Sequence, residues 1–422
     1  MNTQSAQENI YSRQWLFLAM VFLFNLITIL DRVNLSVVAP NIMKEFNFGP
    51  AAMGLAMSAF FWPYTIFQIP AGYFLDRTGL KKGLSWTFVS WGIVTMLTGA
   101  INGLTMLIIM RIALGIGEAA IYPGNVKFIN MWFKQNQRAL AMGFLSAAVN
   151  VGLAGSTWLV SRIVFHLGWR IMFLVTGLIT LAFIPLWYLL YRENFSPKNA
   201  ASRVAISNTK LTALLRERNI IGLTIGYFGT NYSLFFFLTW LPTYFETKWH
   251  LNLLQSGAFS SLVFLTGAFG KPLVGGLCDY LIKHGWSGTA SRKFFLITLN
   301  LVAACIAIGA FVPNPVLAVI LFSIAEITGQ ASSAICGATA ADISPRPIAA
   351  QVGGIMNMAA GLGGIIAPAL TGFLLATTKS FYWPLIIAGA WMIVSALAFA
   401  FILGKIEPLN VPERGVSMQE SV

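Results

Sequence analysis

The chain has 422 residues, of which 57% are hydrophobic and only 10% charged, with 27 Lys plus Arg against 14 Asp plus Glu. A water-soluble domain carries about 25% charged residues and no more than about half apolar ones. A mean hydropathy of +0.73 therefore excludes a string of soluble domains and predicts an all-α integral membrane protein.

The polar N-terminal stretch 1–14 lacks the small-residue cleavage site of a secretory signal, so it is expected to be a short tail, with the first apolar run kept as a membrane anchor. Twelve apolar segments follow, at roughly 15–37, 53–74, 83–102, 105–127, 138–161, 170–191, 219–240, 255–277, 293–312, 315–340, 349–375 and 382–403. Each has about 20 residues, enough to cross about 30 Å of hydrocarbon as a helix. Asn102-Gly103-Leu104-Thr105 gives a tight turn between the third and fourth, and Pro313-Asn314-Pro315 punctuates the ninth and tenth. Trp240-Leu-Pro242-Thr-Tyr244 reads as an interfacial belt and the end of a helix.

One substantial polar interval, about 192–217, divides the segments six and six. The expected organisation is a six-helix bundle in 1–191, a linker in 192–218, a second bundle in 219–403 and a tail in 404–422. Two such halves suit a transporter in which one rocks against the other.

Positive charge orients the chain. With the N-terminus and the loops after even-numbered spans cytoplasmic, that side receives Arg77, Lys81, Lys82, Lys127, Lys134, Arg138, Lys283, Arg292, Lys293 and Arg346, besides the linker's bases. The opposite side receives Lys44, Arg162, Arg170, Lys248 and Lys379. Both termini are expected inside. Because the bases are distributed over loops rather than gathered in a patch, no nucleic-acid partner is expected. Cys278, Cys305 and Cys336 have no paired spacing, and His166, His250 and His284 lie far apart, so neither a disulfide scaffold nor a metal site is suggested.

An internal repeat follows the second and eighth spans: Gly72, Asp76 and Arg77 with Lys81 and Lys82, then Gly275 and Asp279 with Arg292 and Lys293. A glycine permits close helix approach, and the acid with its bases can form a gate at the membrane surface.

Charges inside the spans point most directly to function. Asp31 and Arg32 lie in the first span, about 24 Å along a helix entered near Trp15, and Arg111 lies about 9 Å into the fourth span from the opposite side. These depths match, so an Asp31–Arg111 pairing is geometrically open. Glu118, seven residues beyond Arg111, points the same way. Such groups face a wet cavity or one another rather than lipid. Arg32 and Arg111 stay charged and can hold a carboxylate, whereas Asp31 and Glu118 can take up and release a proton. A proton there removes a charge that repels an incoming anion, so proton and anion favour one loaded state. Symport is expected.

Other polar residues within spans leave two readings open. Tyr64 and Gln68, one turn apart, either line the cavity or pair a neighbouring helix, and the same holds for Asn34. Tyr227, Asn231 and Tyr232 are candidates from the seventh span, and Asn357 from the glycine-rich eleventh. Glu326 either binds a proton, contacts a polyol or closes a helix–helix hydrogen bond, while Lys271 is placed to snorkel to the cytoplasmic surface. No nucleotide loop or nucleophile–base arrangement suggests an enzyme.

The motifs resemble the major facilitator superfamily across 15–403, and most closely its anion:cation symporter branch. They are Gly72 to Lys82, Asp31-Arg32-Val-Asn34-Leu-Ser, Arg111-Ile-Ala-Leu-Gly115-Ile-Gly-Glu118 through Pro123-Gly124, and Asn231-Tyr232 with Phe237 through Tyr244. The resemblance implies alternating access through two pseudo-symmetric halves. It implies anion contacts at Arg32 and Arg111, proton coupling at Asp31 and Glu118, and a substrate route past Tyr64. The strip from Asp279 to Lys293 looks like bacterial aldonate, aldarate and hexuronate carriers. That supports uptake of a small organic anion across a bacterial inner membrane, with protons as coupling ion and no other cofactor; a monomer among lipid is expected. An aromatic-acid or dicarboxylate symporter is the alternative cargo class, and a transporter-like receptor a further one.

Overall fold

The computed structural model describes residues 3–133, 137–191, 214–345 and 348–409, with backbone alone at 3–12, 139, 279, 349 and 350. The linker 192–213, the tail from 410 onward, and the expected cytoplasmic bases Lys134 and Arg346 lie outside the described residues. Every regular element among the described residues is helical: α1 (Thr3–Glu45), α2 (Pro50–Ile66), α3 (Gln68–Thr78), α4 (Leu80–Thr98), α5 (Leu104–Glu118), α6 (Ile121–Trp132), α7 (Arg138–Leu167), α8 (Trp169–Leu190), α9 (Arg218–Trp249), α10 (Leu253–Lys283), α11 (Gly288–Ala303) with a 3-10 extension (Ala304–Ala310), α12 (Pro315–Ile343), α13 (Ala349–Thr378) and α14 (Tyr382–Leu397) with a π turn (Ala398–Ile402). Ten helical stretches among the described residues are long and apolar enough to cross a membrane; the segments at 50–78 and 80–98 are not among them. Ile69, Trp86, Leu189, Phe311 and Phe401 are each at least 65% exposed, an apolar surface suited to hydrocarbon. This is a multi-pass membrane fold.

Helix ends follow local chemistry. Asn314 caps α12 by accepting from the Leu317 amide at 2.8 Å, with Pro315 in the first turn. Asn252 and Gln255 form a reciprocal capping box on α10. Gly79, at φ +80°, turns the chain between α3 and α4.

Three expectations need correction. The first span, expected at 15–37, belongs to a helix running from Thr3 to Glu45: the apolar run marks hydrocarbon, whereas backbone hydrogen bonding continues beyond it. Trp240 to Tyr244 is neither an interfacial belt nor a helix end. Pro242 lies inside α9, and Trp240 and Tyr244 are fully buried, donating to the Pro368 and Gly309 carbonyls at 3.1 and 3.0 Å. The second expected span is broken at Phe67. A proline ring clashes with the carbonyl four residues earlier and offers no N–H to it. Pro70 thus ends α2 at Ile66, and Pro123 ends the helical run of α5 at Glu118–Ala119 in the same way.

Within 3–191 the main packing pairs are α1–α7, α2–α5 and α4–α8; within 214–409 they are α10–α12, α9–α13, α9–α14 and α11–α12. The two groups meet through α2–α13, α7–α10 and α1–α9. Arg218 donates to the Ile402 carbonyl at 2.7 Å, and Phe17 packs on Trp132 and Tyr191. Together with the antiparallel run of α2 against α13, these contacts put both ends of the described chain on one face.

The cross-group contacts cluster toward the opposite face. A Cβ on Gly54 would sit 3.0 Å from the Gly372 Cα, so only glycine allows that backbone approach. Ser58 Oγ donates to the Ile365 carbonyl at 2.7 Å, Ser261 Oγ to the Ala154 carbonyl at 2.5 Å, and Asn357 Nδ2 to Gln68 Oε1. Farther toward the terminal face, Gly143 on α7, Gly275 and Gly276 on α10, and Gly353 and Gly354 on α13 face no atom within 4 Å. These five positions leave open space on the terminal side.

Candidate functional site: a charged cluster at mid-depth

The two proline-made breaks flank a cluster built by α1, α2, α5 and α8. Gly115 makes it possible. A Cβ there would lie 2.8 Å from Pro63 Cγ and closer still to the Phe60 carbonyl, so α5 lies directly on α2 and Arg111, one turn earlier, reaches the Phe60 ring at 4.8 Å. Phe60 and Tyr64 stack with centroids 5.5 Å apart. The Arg32 guanidinium lies 4.5 Å from the Tyr64 centroid and 5.3 Å from that of Phe60. An aromatic shelf thus carries both cations.

Arg32 Nε donates to Glu118 Oε2 at 2.8 Å. Glu118 is fully buried and Arg111 is 5% exposed, while Arg32 keeps 13% of its side chain accessible. Arg111 Nε and Glu118 Oε1 have no hydrogen-bond partner. Leaving such groups unsatisfied is costly, and here donor and acceptor belong to one cluster.

The Asp31–Arg111 pairing that the depths leave open does not form. Asp31 instead accepts from Thr180 Oγ1 at 3.2 Å and Asn34 Nδ2 at 3.3 Å, and Asn34 also donates to Thr176 at 2.9 Å. Matching depths said nothing about azimuth. Successive helical residues point about 100° apart, so Asp31 turns toward α8 while Arg32 turns toward α2 and α5. Thr176 and Thr180, four apart in an otherwise apolar helix, carried a legible signal that the sequence reading missed.

The remaining candidates are dispersed. Gln68 and Asn357 join the two groups, as noted. Asn231 donates to the Tyr227 carbonyl at 2.8 Å and lines a small cavity with Glu326, Gln330 and Ser333. Asn34 and Tyr232 are fully buried, the latter with its ring near Phe228 and Trp391. Lys271, expected to snorkel, is half-buried and interacts electrostatically with Glu326. A cavity of about 290 Å³ on the face away from the termini, bounded by Met43, Pro50, Lys248, Lys379 and Tyr382, contains none of the predicted site residues.

At the terminal face Asp76 pairs with Lys127 Nζ at 2.9 Å, and the same ammonium donates to the Leu75 carbonyl at 2.6 Å. Arg77 is exposed. A Cβ on Gly72 would meet only Pro123, at 3.8 Å, so close approach does not demand glycine there. The Asp279 side chain lies outside the described set. In the second group Arg292 pairs with Asp342 at 2.7 Å. Lys127 and Asp342 are partners that the sequence motif did not name.

A helical membrane fold with a buried ion pair at mid-depth suits a protein that carries a charged solute. The sequence profile of the Major Facilitator Superfamily matches residues 21–289 and 284–420, and the chain belongs to that superfamily: it is a secondary transporter working by alternating access, not an enzyme. It is 31% identical to the D-galactonate transporter of Escherichia coli O6:H1, over 94% of this chain and 96% of the relative. It is 32% identical to a probable L-galactonate transporter of Escherichia coli K12, over 94% and 90%. A bacterial homolog of the human lysosomal transporter Spinster, solved inward-facing and unoccupied, shares the fold at a TM-score of 0.76 and 18% identity, covering 93% of this chain and 96% of that one.

Proposed function

We propose that the chain is a proton-coupled symporter that takes up a sugar acid, an aldonate, aldarate or hexuronate, across a bacterial inner membrane. Twelve spans in two six-helix halves, 1–191 and 219–403, would move against each other. The observation that carries the reading is a buried Arg111 whose Nε lacks a partner, beside an Arg32 already engaged by Glu118. Two cations on an aromatic shelf suit a carboxylate, because guanidinium groups bind it with paired, charge-assisted hydrogen bonds. The names of the galactonate-transporting relatives support the sugar-acid cargo.

The excess of Lys and Arg on the terminal face supports a cytoplasmic position for both termini, and the open space beside Gly143, Gly353 and Gly354 on that side supports an inward-facing state. An anion arriving at Arg111 also competes for Arg32. Protonation of Glu118 releases that guanidinium and removes the like charge, and proton and anion then occupy the site together. Gln68 and Asn357, one from each half, with Asn231 and Tyr64, offer neutral partners to substrate hydroxyls. Asp31, held by Thr180 and Asn34, fixes α1 to α8 and aims its neighbour Arg32. Asp76 with Lys127, along with Arg77 and Asp279, would form the cytoplasmic gate. Uptake in proteoliposomes under an imposed inward proton gradient tests the coupling; no acceleration by that gradient rejects it.

A further inference from the structure

Glu326 is a buried carboxylate for which the scheme above has no use. It sits on α12, 3% exposed, with Oε1 accepting from Gln330 Nε2 at 2.9 Å. The charged group facing it is Lys271 of α10, without an ion pair between them among the described residues. α9 offers Thr230, Asn231 and Ser233 and α14 offers Met392 around the adjoining cavity, while Asn300 of α11 is spent on Ser332 at 2.6 Å. That cavity has a volume of about 10 Å³, the room needed for roughly one water-sized group.

Polar side chains connect this point to the charged cluster. Tyr227 lies beside Asn231 and Ser333 and within electrostatic reach of Tyr122; Tyr122 is similarly close to Tyr64, which lies under Arg32. One end of this row of polar side chains is cationic and belongs to the first half. The other is lined by hydroxyl and amide groups around a carboxylate and belongs to the second.

We infer that Glu326, with Gln330, Asn231 and Ser333, forms a hydroxyl-binding subsite that selects monocarboxylate sugar acids over dicarboxylate ones. The inference rests on the sugar-acid reading and names its substrate class. An ionised Glu326 accepts hydrogen bonds from a sugar hydroxyl, and the cavity beside it holds one such group. A second carboxylate in the same place brings like charge against like charge, with no guanidinium among the described residues lining the cavity to receive it. Lys271 offsets part of that repulsion. Specificity of this kind comes from a repulsive element as much as from an attractive one.

The test is competition in proteoliposomes between an aldonate and the aldarate of equal carbon number, read as the ratio of their uptake rates. The wild-type protein is expected to favour the aldonate by about tenfold or more, as expected for like charges several ångströms apart. Acidification should narrow that ratio, because a protonated Glu326 no longer repels while sugar-acid carboxyls, titrating near about pH 3.5, stay ionised. Glu326→Gln should slow aldonate uptake, raise the relative uptake of aldarate and flatten the pH dependence of the ratio. Lys271→Gln should widen the ratio. Equal handling of the two acids by the wild-type protein, or an unchanged ratio in Glu326→Gln, overturns the inference while leaving sugar-acid transport standing. Uptake of neither acid rejects the sugar-acid reading itself.

Discussion

Replacing Glu118 with Gln isolates the coupling step. The Arg32–Glu118 contact of 2.8 Å puts the charge centres about 4 Å apart, and at an effective dielectric of about 20 their attraction is about 4 kcal/mol. An incoming carboxylate must displace that attraction while the Glu118 charge repels it. Gln keeps an acceptor for Arg32 but behaves as a permanently protonated carboxyl. If a third of the attraction passes to the anion, about 1.4 kcal/mol, affinity tightens about tenfold. Wild-type binding should strengthen as pH falls, because protonating Glu118 frees Arg32. Glu118→Gln should bind about tenfold more tightly at neutral pH, with a flat pH profile. In proteoliposomes the variant should exchange labelled anion for unlabelled, yet gain nothing from an inward proton gradient. A variant that keeps the wild-type pH slope and still accumulates anion under the gradient refutes Glu118 as the coupling group.

Arg111→Gln removes the cation with the free Nε; uptake should fall about a hundredfold, as about 3 kcal/mol of charge-assisted hydrogen bonding is lost, while the elution profile in detergent stays that of folded protein. Gly115→Val drives a side chain into the Phe60 carbonyl and Pro63; overpacking of this kind costs about 1–3 kcal/mol, and a lowered melting temperature with weakened uptake checks it. Ala154→Cys combined with Ser261→Cys, whose parent residues are bridged by a hydrogen bond, should be joined by a short bis-thiol reagent that holds α7 against α10 on the face away from the termini. Uptake should stop, and undiminished uptake by the cross-linked protein shows that α7 and α10 need not part.

Much of this architecture was legible because hydrocarbon imposes a coarse rule: about 20 apolar residues make a crossing. The same rule hid the helix ends, since nothing in an apolar window records that α1 continues to Glu45 or that α9 runs through Pro242. Asp31, Arg32, Arg111 and Glu118 stood out by being charged where charge is costly. Their pairing did not, because depth along a helix is arithmetic whereas azimuth depends on which neighbour it packs against. Thr180 and Lys127, which hold Asp31 and Asp76, look ordinary in sequence and acquire meaning only through contacts more than fifty residues away. The break at Phe67 was readable from Pro70, but a continuous apolar run from 53 to 74 concealed it.

The two acids of the cluster differ in a way that bears on which one moves the proton. Asp31 is held by neutral donors, Thr180 and Asn34, and those bonds do not depend on whether an anion is present. Glu118 is held by Arg32 alone, its other oxygen unpartnered. On the proposed mechanism the anion takes Arg32, leaving Glu118 as a buried charge without its partner, a situation that costs about 3–5 kcal/mol. Protonation removes that cost, so the loaded state is accessible chiefly when the proton is aboard. Coupling would then arise from one guanidinium that cannot satisfy two carboxylates at once, with Asp31 keeping α1 turned so that Arg32 remains the contested group.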